Sequence, residues 1–210
     1  SSAASDVYKR QNYSLLPGSI SRFSEVIDVA DIIIMQAEIP YETNKKIALL
    51  AKQKGKKVLF NPAPACLLDE ELMKAIDILV VNEVEAAFIS GIDYTGNNHE
   101  KIAQALIEAG AQNVVITLGS QGVYMKNNQK TVYLPGYKVN AIDTIAAGDT
   151  FCGALAVSCA QREIDQEALG FANAAAAIAV TRSGAQPSIP TLDEVKCFIL
   201  EKESVLSFNS

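Results

Sequence analysis

The pattern of apolar and polar positions predicts alternating strands and helices along the first half of the chain. Short β-branched apolar runs bounded by polar residues recur, and each is typical of a buried strand. Amphipathic segments of helical period separate them, and strand-helix-strand units with short connections favour a parallel sheet. We predict strands at 31–36, 57–61, 76–81 and 113–118, and helices at 43–54, 70–75, 84–90 and 99–109.

The pattern changes after Gly119. Residues 122–125 and 130–134 alternate between apolar and polar and flank Asn127-Asn128-Gln129, which predicts a hairpin. Three helices are expected afterwards, at 147–161, 165–181 and 191–201, the middle one rich in alanine. The expected fold class is therefore α/β: a mostly parallel sheet with helices on both faces and an antiparallel hairpin near the C-terminal half.

Local signals refine the ends of the chain and of one helix. Residues 1–11 show no periodicity, so we interpret them as a non-native or disordered leader before a domain at 12–210. Residues 12–30 form a short amphipathic segment before the first strand. Thr43 is a candidate cap for the first long helix, and Gly55 is expected to close it.

Length and charge narrow the classes of partner. A chain of 210 residues can bury one sizeable core, which indicates a single domain. Its net charge of −6 argues against nucleic acid and anionic membranes as partners and favours small molecules. No apolar run reaches the roughly 18 residues that span a bilayer, so we expect a soluble, cytoplasmic protein.

Cysteine and histidine usage removes further classes of site. The four cysteines form no C-x-x-C pair and lie among apolar neighbours, which is typical of reduced core thiols rather than disulfides or zinc ligands. His99 is the only histidine and lies in a polar segment. A Ser-His-Asp triad or a site with several histidines would depend on it alone.

Residues 143–151, with the sequence DTIAAGDTF, form the most informative stretch. Two acids flank a small-residue loop that opens a helix, where unpaired N–H groups and the helix dipole attract an anion. A carboxylate there repels phosphate unless it moves a proton, so Asp149 is a candidate general base for a hydroxyl that attacks phosphorus. The alternative interpretation is an Asp that caps the helix.

The chain resembles the ribokinase-like superfamily of sugar kinases, in which a D-T-x-[GA]-A-G-D-x-F loop carries the catalytic Asp. The resemblance extends over residues 12–201 and suits the ribokinase branch. Besides the loop at 143–151 it rests on four motifs: NPAPA at 61–65, NEVE at 82–85, TLGSQG at 117–122 and AAAAIAVTRSGAQPS at 174–188.

The resemblance implies a kinase that uses ATP and Mg²⁺ to phosphorylate the primary hydroxyl of D-ribose. Asp149 would take the hydroxyl proton, while the N–H groups of Ala146, Ala147 and Gly148 would hold the developing charge. Glu85 would help to bind Mg²⁺ indirectly, through water. The residues implied at the nucleotide are Asn82, Thr117, Leu118, Gly119, Ser120, Gln121, Gly122, Gly148, Asp149 and Asn173.

The same resemblance implies a K⁺ site and a sugar contact. Glu38 corresponds to a position that reaches towards the sugar, and Asp149 is the other residue implied at the substrate. A cation would neutralise Asp143 and stiffen the loop that meets the phosphoryl group. The implied K⁺ ligands are the carboxylate of Asp143, the hydroxyl of Ser188 and the carbonyls of Ile145, Ala179, Arg182 and Gly184.

Each site residue also has a purely structural interpretation. Asn82 and Glu85 could form the first turn of a surface helix, and residues 117–122 could simply start the hairpin. Asn173, where some ribokinases have His, could be an ordinary helix residue. Glu38 could be solvated at a strand end.

Other functions remain open at this point. Ribokinases begin with a segment that carries a glycine-rich sugar motif, the first strands and a β lid that forms the homodimer contact, and this sequence shows none of it. It could therefore be an inactive nucleotide-binding fragment with an open sheet edge, prone to aggregate. Deoxyribose or another small sugar is an alternative substrate. A dinucleotide oxidoreductase lacks its G-x-G-x-x-G turn, and a glycosidase would need Asp143 and Asp149 to face one bond.

Overall fold

The computed structural model describes residues 12–207, with side chains up to residue 202. The leader predicted at 1–11 lies outside the described residues. In chain order the strands are β1 (Ile32–Gln36), β2 (Lys57–Asn61), β3 (Ile78–Asn82), β4 (Asn113–Thr117), β5 (Gly122–Asn127) and β6 (Thr131–Pro135). The helices are α1 (Ser24–Val29), α2 (Tyr41–Gln53), α3 (Glu70–Ala75), α4 (Glu83–Ser90), α5 (His99–Glu108), α6 (Ala147–Cys159), α7 (Gln166–Ala179) and α8 (Leu192–Ser207).

The six strands form one sheet in sequence order, β1-β2-β3-β4-β5-β6. The first four are parallel, with Ile32 opposite Lys57 and Leu79 opposite Val114. Helices α2 to α5 provide the crossovers that parallel neighbours require. The connections before and after β5 are too short for a crossover, so β4, β5 and β6 run antiparallel. The predicted mostly parallel sheet with a terminal hairpin is confirmed.

Strands β2, β3 and β4 are buried on both faces. Successive residues of β3, from Ile78 to Val81, expose 3% or less of their surface. Continuous apolar runs of this kind belong to parallel strands that are covered by helices on both sides, as the sequence predicted.

Strand β1 differs from this pattern because it lies at the edge of the sheet. Ile34 in its centre is 47% exposed, so the prediction of a buried strand is wrong here. The apolar composition of β1 predicted the strand itself correctly. The position of β1 in the sheet decides how much of it is covered.

Helix ends follow local side-chain chemistry, with one correction. Asp69 caps α3 by accepting the Leu72 N–H at 2.8 Å. The predicted cap Thr43 is wrong: α2 begins at Tyr41, and the buried Thr43 hydroxyl donates to the Leu15 carbonyl at 2.7 Å. Gly55 follows this helix with φ +66°, as its predicted closing role requires.

The chain forms two compact units. Unit 1 comprises the residues up to Thr117 with Tyr124–Val132, and unit 2 comprises Leu118–Val123 with the residues from Tyr133 onward. Large apolar side chains from the strands and crossover helices fill the core of unit 1, Phe60, Leu79 and Leu106 among them. In unit 2 the small residues of α7 pack with Val195 of α8, and Phe171 and Phe198 lie against them.

The four cysteines are free, but they do not all lie in the core. Cys152 and Cys159 are buried in α6 and Cys66 is half-buried, whereas Cys197 is exposed. The prediction of a core thiol is therefore wrong at Cys197. Among the described residues, none of the helices combines the length and apolar character that crossing a bilayer requires.

Candidate active site

Each of the four parallel strands ends in a polar residue. Gln36, Asn61, Asn82 and Thr117 are the last residues of β1, β2, β3 and β4. The carboxyl ends of parallel strands meet at one edge of a sheet, where open α/β proteins bind their ligands. The strand ends therefore bring these side chains together in unit 1, and we call this row the carboxyl edge.

Asn82 and Glu85 form a capping box at the start of α4. The Asn82 side chain accepts the Glu85 N–H at 2.8 Å, and Glu85 Oε2 accepts the Asn82 N–H at 2.9 Å. The interpretation as a first helical turn is correct, but Glu85 is only 8% exposed. Burial raises the pKa of the Glu85 carboxyl, and hydrogen bonds from Asn82 and Asn61 oppose that rise.

Asn61 is the last residue of β2, and its side chain contacts residues of the two neighbouring strands, β1 and β3. Its Nδ2 donates to the Val80 carbonyl at 2.9 Å and to Glu85 Oε2 at 3.5 Å, while its Oδ1 accepts from Gln36 Nε2 at 3.3 Å. The sequence singled out the NPAPA motif as a whole but assigned no role to Asn61. Only the packing of β2 beside β3 shows what its amide contacts.

Two further predicted residues of unit 1 lie at strand ends. The Thr117 hydroxyl donates to the Val81 carbonyl at 3.4 Å, which ties β4 to β3. Glu38 is exposed in the turn after β1, and this turn lies beside the end of β2 because the Ala37 N–H donates to the Ala63 carbonyl at 3.1 Å. An exposed Glu38 is consistent with either of its interpretations, a solvated strand end or a sugar contact.

In unit 2, the turn at residues 118–122 has a structural reason for each glycine. The Leu118 N–H donates to the Gly122 carbonyl at 2.8 Å, and a 3₁₀ turn, Gly119–Gln121, lies between them. Gly122 has φ +108°, and a Cβ there would lie 2.1 Å from the Leu134 carbonyl oxygen. Gly119, with φ +54°, has open space at its Cβ position. Gly119 is thus the glycine of this turn beside which a ligand has room.

Asn173 connects α7 to the end of β6. Its Nδ2 donates to the Pro135 carbonyl at 3.0 Å, and the residue is 9% exposed. This contact gives Asn173 a structural role in unit 2. The predicted contact with the nucleotide stays a prediction.

Asp149 lies in the first turn of α6 and is exposed to solvent. The N-cap position belongs to Ala146, so the interpretation of Asp149 as the capping residue is wrong. Gly148 is also exposed, whereas Ala146 is buried and the Ala147 N–H already donates to the Thr144 carbonyl at 3.2 Å. Of the three predicted N–H donors, Gly148 therefore has the most accessible position. The next residue, Thr150, carries a buried hydroxyl that has no partner among the described residues.

Asp143 joins this loop to the loop after α7. Its Oδ1 accepts the Ile145 N–H and its Oδ2 accepts the Gly184 N–H, both at 3.0 Å. These backbone donors hold the pKa of the Asp143 carboxyl below its usual range, with Gly184 as the largest contributor. The carboxyl therefore stays charged at neutral pH and keeps its two loops together.

The loop after α7 is itself fixed by side-chain contacts that the sequence did not predict. Arg182 pairs with Glu194 at 2.6 Å, and Glu194 also accepts the Thr191 N–H, so its pKa is lowered to about 2. The Ser188 hydroxyl is buried and donates to the Ala185 carbonyl at 2.6 Å. Within unit 2, hydrogen bonds bring Asp143, Ile145 and Gly184 together, and the Arg182 N–H donates to the Ala179 carbonyl.

The two units offer different oxygen donors for cations. Unit 2 presents the charged carboxylate of Asp143 beside Ile145 and Gly184, and the predicted K⁺ ligand set stays a prediction. Unit 1 presents Glu85. Within residues 12–207, no group of three His, Cys, Asp or Glu side chains could form a metal cage. A Mg²⁺ ion bound by few protein ligands keeps water and uses phosphate oxygens instead.

Known proteins are similar to this chain in sequence and in fold. The profile of the pfkB family carbohydrate kinases matches residues 9–192. The chain is 40% identical over 188 residues to a ribokinase of Haemophilus influenzae, covering 89% of this chain and 61% of that protein. Ribokinase from Thermotoga maritima superimposes with a TM-score of 0.80 at 39% identity, covering 90% of this chain and 62% of the other.

A third similar protein has been solved with ligands bound. Arabidopsis thaliana ribokinase, solved in complex with ribose and ATP, matches with a TM-score of 0.77 at 31% identity. The match covers 83% of this chain and 57% of the Arabidopsis protein. In each of these three comparisons the chain spans less than two thirds of its relative. With the profile matching most of its length, the chain belongs to the pfkB family of carbohydrate kinases.

Proposed function

We propose that this chain is the nucleotide-binding and catalytic part of an ATP-dependent kinase that phosphorylates D-ribose to D-ribose 5-phosphate. The observation that carries the proposal is the exposed Asp149 in the first turn of α6, directly after an exposed glycine. A helix N-terminus attracts the transferring phosphoryl group, and a carboxylate beside it is useful when it takes a proton. The ribokinases among the relatives support the choice of ribose.

The reaction proceeds by direct transfer of the γ-phosphoryl group. The Asp149 carboxylate accepts the proton of the primary sugar hydroxyl as its oxygen attacks phosphorus, and ADP leaves. Backbone N–H groups at the start of α6, that of Gly148 above all, stabilise the charge on the phosphoryl oxygens. Asp143 holds the preceding loop in place through the Ile145 N–H.

Mg²⁺ and K⁺ have separate roles in this proposal. Mg²⁺ supplies positive charge that neutralises the phosphates, and Glu85 helps to hold it through water. K⁺ would be held at the loop that Asp143 organises by the Asp143 carboxylate, the carbonyls of Ile145, Ala179, Arg182 and Gly184 and the Ser188 hydroxyl, and would neutralise the charge of Asp143. By the same resemblance, Glu38 contacts the sugar, residues 117–122 lie along the nucleotide, and the whole protein is a homodimer.

Replacing Asp149 by Asn tests the general base. We expect ATP binding, measured by calorimetry, to stay within about twofold of wild type, while ribose-dependent ADP formation falls by roughly 100-fold or more. Asp165→Asn is the matched control, because Asp165 caps α7 by accepting the Ala168 N–H and Asn caps equally well. Equal turnover in the two variants would remove Asp149 from the mechanism.

A second candidate function is nucleotide binding without turnover. It is favoured by the coverage, since the chain spans 61% of the Haemophilus ribokinase. The same assay on the wild-type chain decides between the two. ADP formation that depends on ribose supports the kinase, whereas ATP binding without it supports the binding fragment. Running 2-deoxyribose in parallel identifies the preferred sugar.

A further inference from the structure

Among the residues at the strand ends, Asn61 has no role in the proposed function. Asn61 closes β2 and begins the NPAPA segment, and its amide contacts three different elements of unit 1. The Val80 carbonyl can only accept a hydrogen bond, so the amide atom that faces it at 2.9 Å must be Nδ2. This contact fixes the orientation of the amide and directs Oδ1 to Gln36.

The same Nδ2 reaches one particular oxygen of Glu85. Oε2 accepts from the Asn82 N–H at 2.9 Å and faces Asn61 Nδ2 at 3.5 Å. Within the described part of the chain, Oε1 accepts no hydrogen bond, and it is not among the buried polar atoms. Glu85 therefore turns one oxygen towards protein donors and leaves the other in contact with solvent.

We propose that Asn61 is a positioning residue for Glu85, which it holds by Oε2 so that Oε1 faces a water of the hydrated Mg²⁺. The inference rests on the proposed function, because it assigns a purpose to the free oxygen. A carboxylate with donors on one oxygen cannot rotate without losing them, so its other oxygen stays in one direction. Gln36 supports the arrangement by occupying Asn61 Oδ1.

Asn113 provides a matched control in the same sheet. It is the first residue of β4, its Nδ2 donates to the Asp77 carbonyl at 2.8 Å, and its Oδ1 accepts from Asn127 Nδ2 at 2.9 Å. Both asparagines are partly buried and join neighbouring strands through both amide atoms. Asn113 does this at the opposite edge of the sheet, and neither of these contacts involves a carboxylate.

The test compares Asn61→Leu with Asn113→Leu in the 210-residue chain. Calorimetry first measures the affinity for ATP without metal. The titration is then repeated at increasing Mg²⁺ concentrations, and the concentration that gives half of the increase in ATP affinity is the Mg²⁺ requirement. We expect both variants to melt a few degrees lower, since each loses a hydrogen-bonded amide. The Mg²⁺ requirement should rise roughly fivefold for Asn61→Leu alone. Removing a residue that supports a direct metal ligand has a larger effect, but Glu85 acts through water.

Gln36→Leu is a second variant that keeps Asn61 in place, and it should shift the Mg²⁺ requirement in the same direction by about twofold. An unchanged requirement in both Asn61→Leu and Gln36→Leu would overturn the positioning role, as would an equal rise in Asn113→Leu. The proposed function fails separately, if the wild-type chain binds ATP no better with Mg²⁺ than without it.

Discussion

The amino edge, the row where the parallel strands of unit 1 begin, and the carboxyl edge use similar polar groups but place their carboxylates differently. At the amino edge, Asp77 Oδ2 accepts the Val58 N–H at 2.8 Å, and the Asp77 carbonyl accepts from Asn113. At the carboxyl edge, Asn61 joins Gln36 to the Val80 carbonyl. Asparagine amides suit both places because each supplies a donor and an acceptor to neighbouring strands.

The difference is Glu85. At the carboxyl edge a carboxylate is buried, yet one of its oxygens remains without a protein partner among the described residues. At the amino edge, the half-buried Asp77 carboxylate accepts a backbone N–H, and the Asn113 amide contacts a backbone carbonyl and another amide rather than a carboxylate. A buried carboxylate that a neighbouring amide holds by one oxygen keeps a fixed direction, which suits it to binding a ligand as well as to stabilising the fold.

The largest expected effect comes from removing the charge of that open group. Glu85→Gln should raise the Mg²⁺ concentration needed for half-maximal ATP binding roughly 10-fold or more, because the neutral amide attracts a cation far less. Asp77→Asn at the amino edge should leave it unchanged. Calorimetric titration of both variants measures this, and a similar shift in the two would erase the functional difference between the edges.

The next effect concerns stability at the amino edge. Asp77→Ala leaves the N–H of the fully buried Val58 without its side-chain partner, which costs about 1–3 kcal/mol of unfolding free energy. Urea denaturation measures the loss, and the Mg²⁺ requirement of the folded variant should match wild type. A loss below about 0.5 kcal/mol would mean that this contact contributes little to stability.

A smaller effect of known sign should appear in the pH dependence of stability. The pKa of Glu85 is raised in the folded chain, chiefly by burial, so above the unfolded pKa of about 4.3 the unfolded state releases its proton first. The contribution of Glu85 to the unfolding free energy therefore decreases as pH rises through the folded pKa. Urea denaturation of wild type and Glu85→Gln between pH 4 and 8 should show this decrease only in the wild type. A constant difference between the two proteins across that range would contradict it.

Unit 2 shows how far a motif alone can predict a site. The loop DTIAAGDTF predicted a helix that starts at residue 147 with an acid in its first turn, and the structure confirms that placement. Local spacing is sufficient here, because small residues and a following apolar run define a helix start by themselves. The same spacing could not distinguish an Asp that caps the helix from one within its first turn. Only the backbone conformation places the cap at Ala146.

Long-range contacts explain the predictions that failed. Thr43 has the chemistry of a helix cap, but its hydroxyl donates to Leu15, 28 residues away, and α2 starts after Pro40. Ile34 has the composition of a buried strand, but β1 lies at the sheet edge. The hydrophobic pattern of a short stretch carries no information on a distant hydrogen-bond partner or on the order of the strands in the sheet.

The amino-acid sequence by itself determined the alternation of strands and helices, the terminal hairpin and the position of Asp149 at a helix start. These features follow from side-chain period and backbone preference, which act over a few residues. Tertiary structure alone decided which oxygen of Glu85 is held and by which amide, because Asn61 and Glu85 are 24 residues apart in the chain. Their meeting depends on β2 lying beside β3, and strand pairing brings together groups that no local pattern relates.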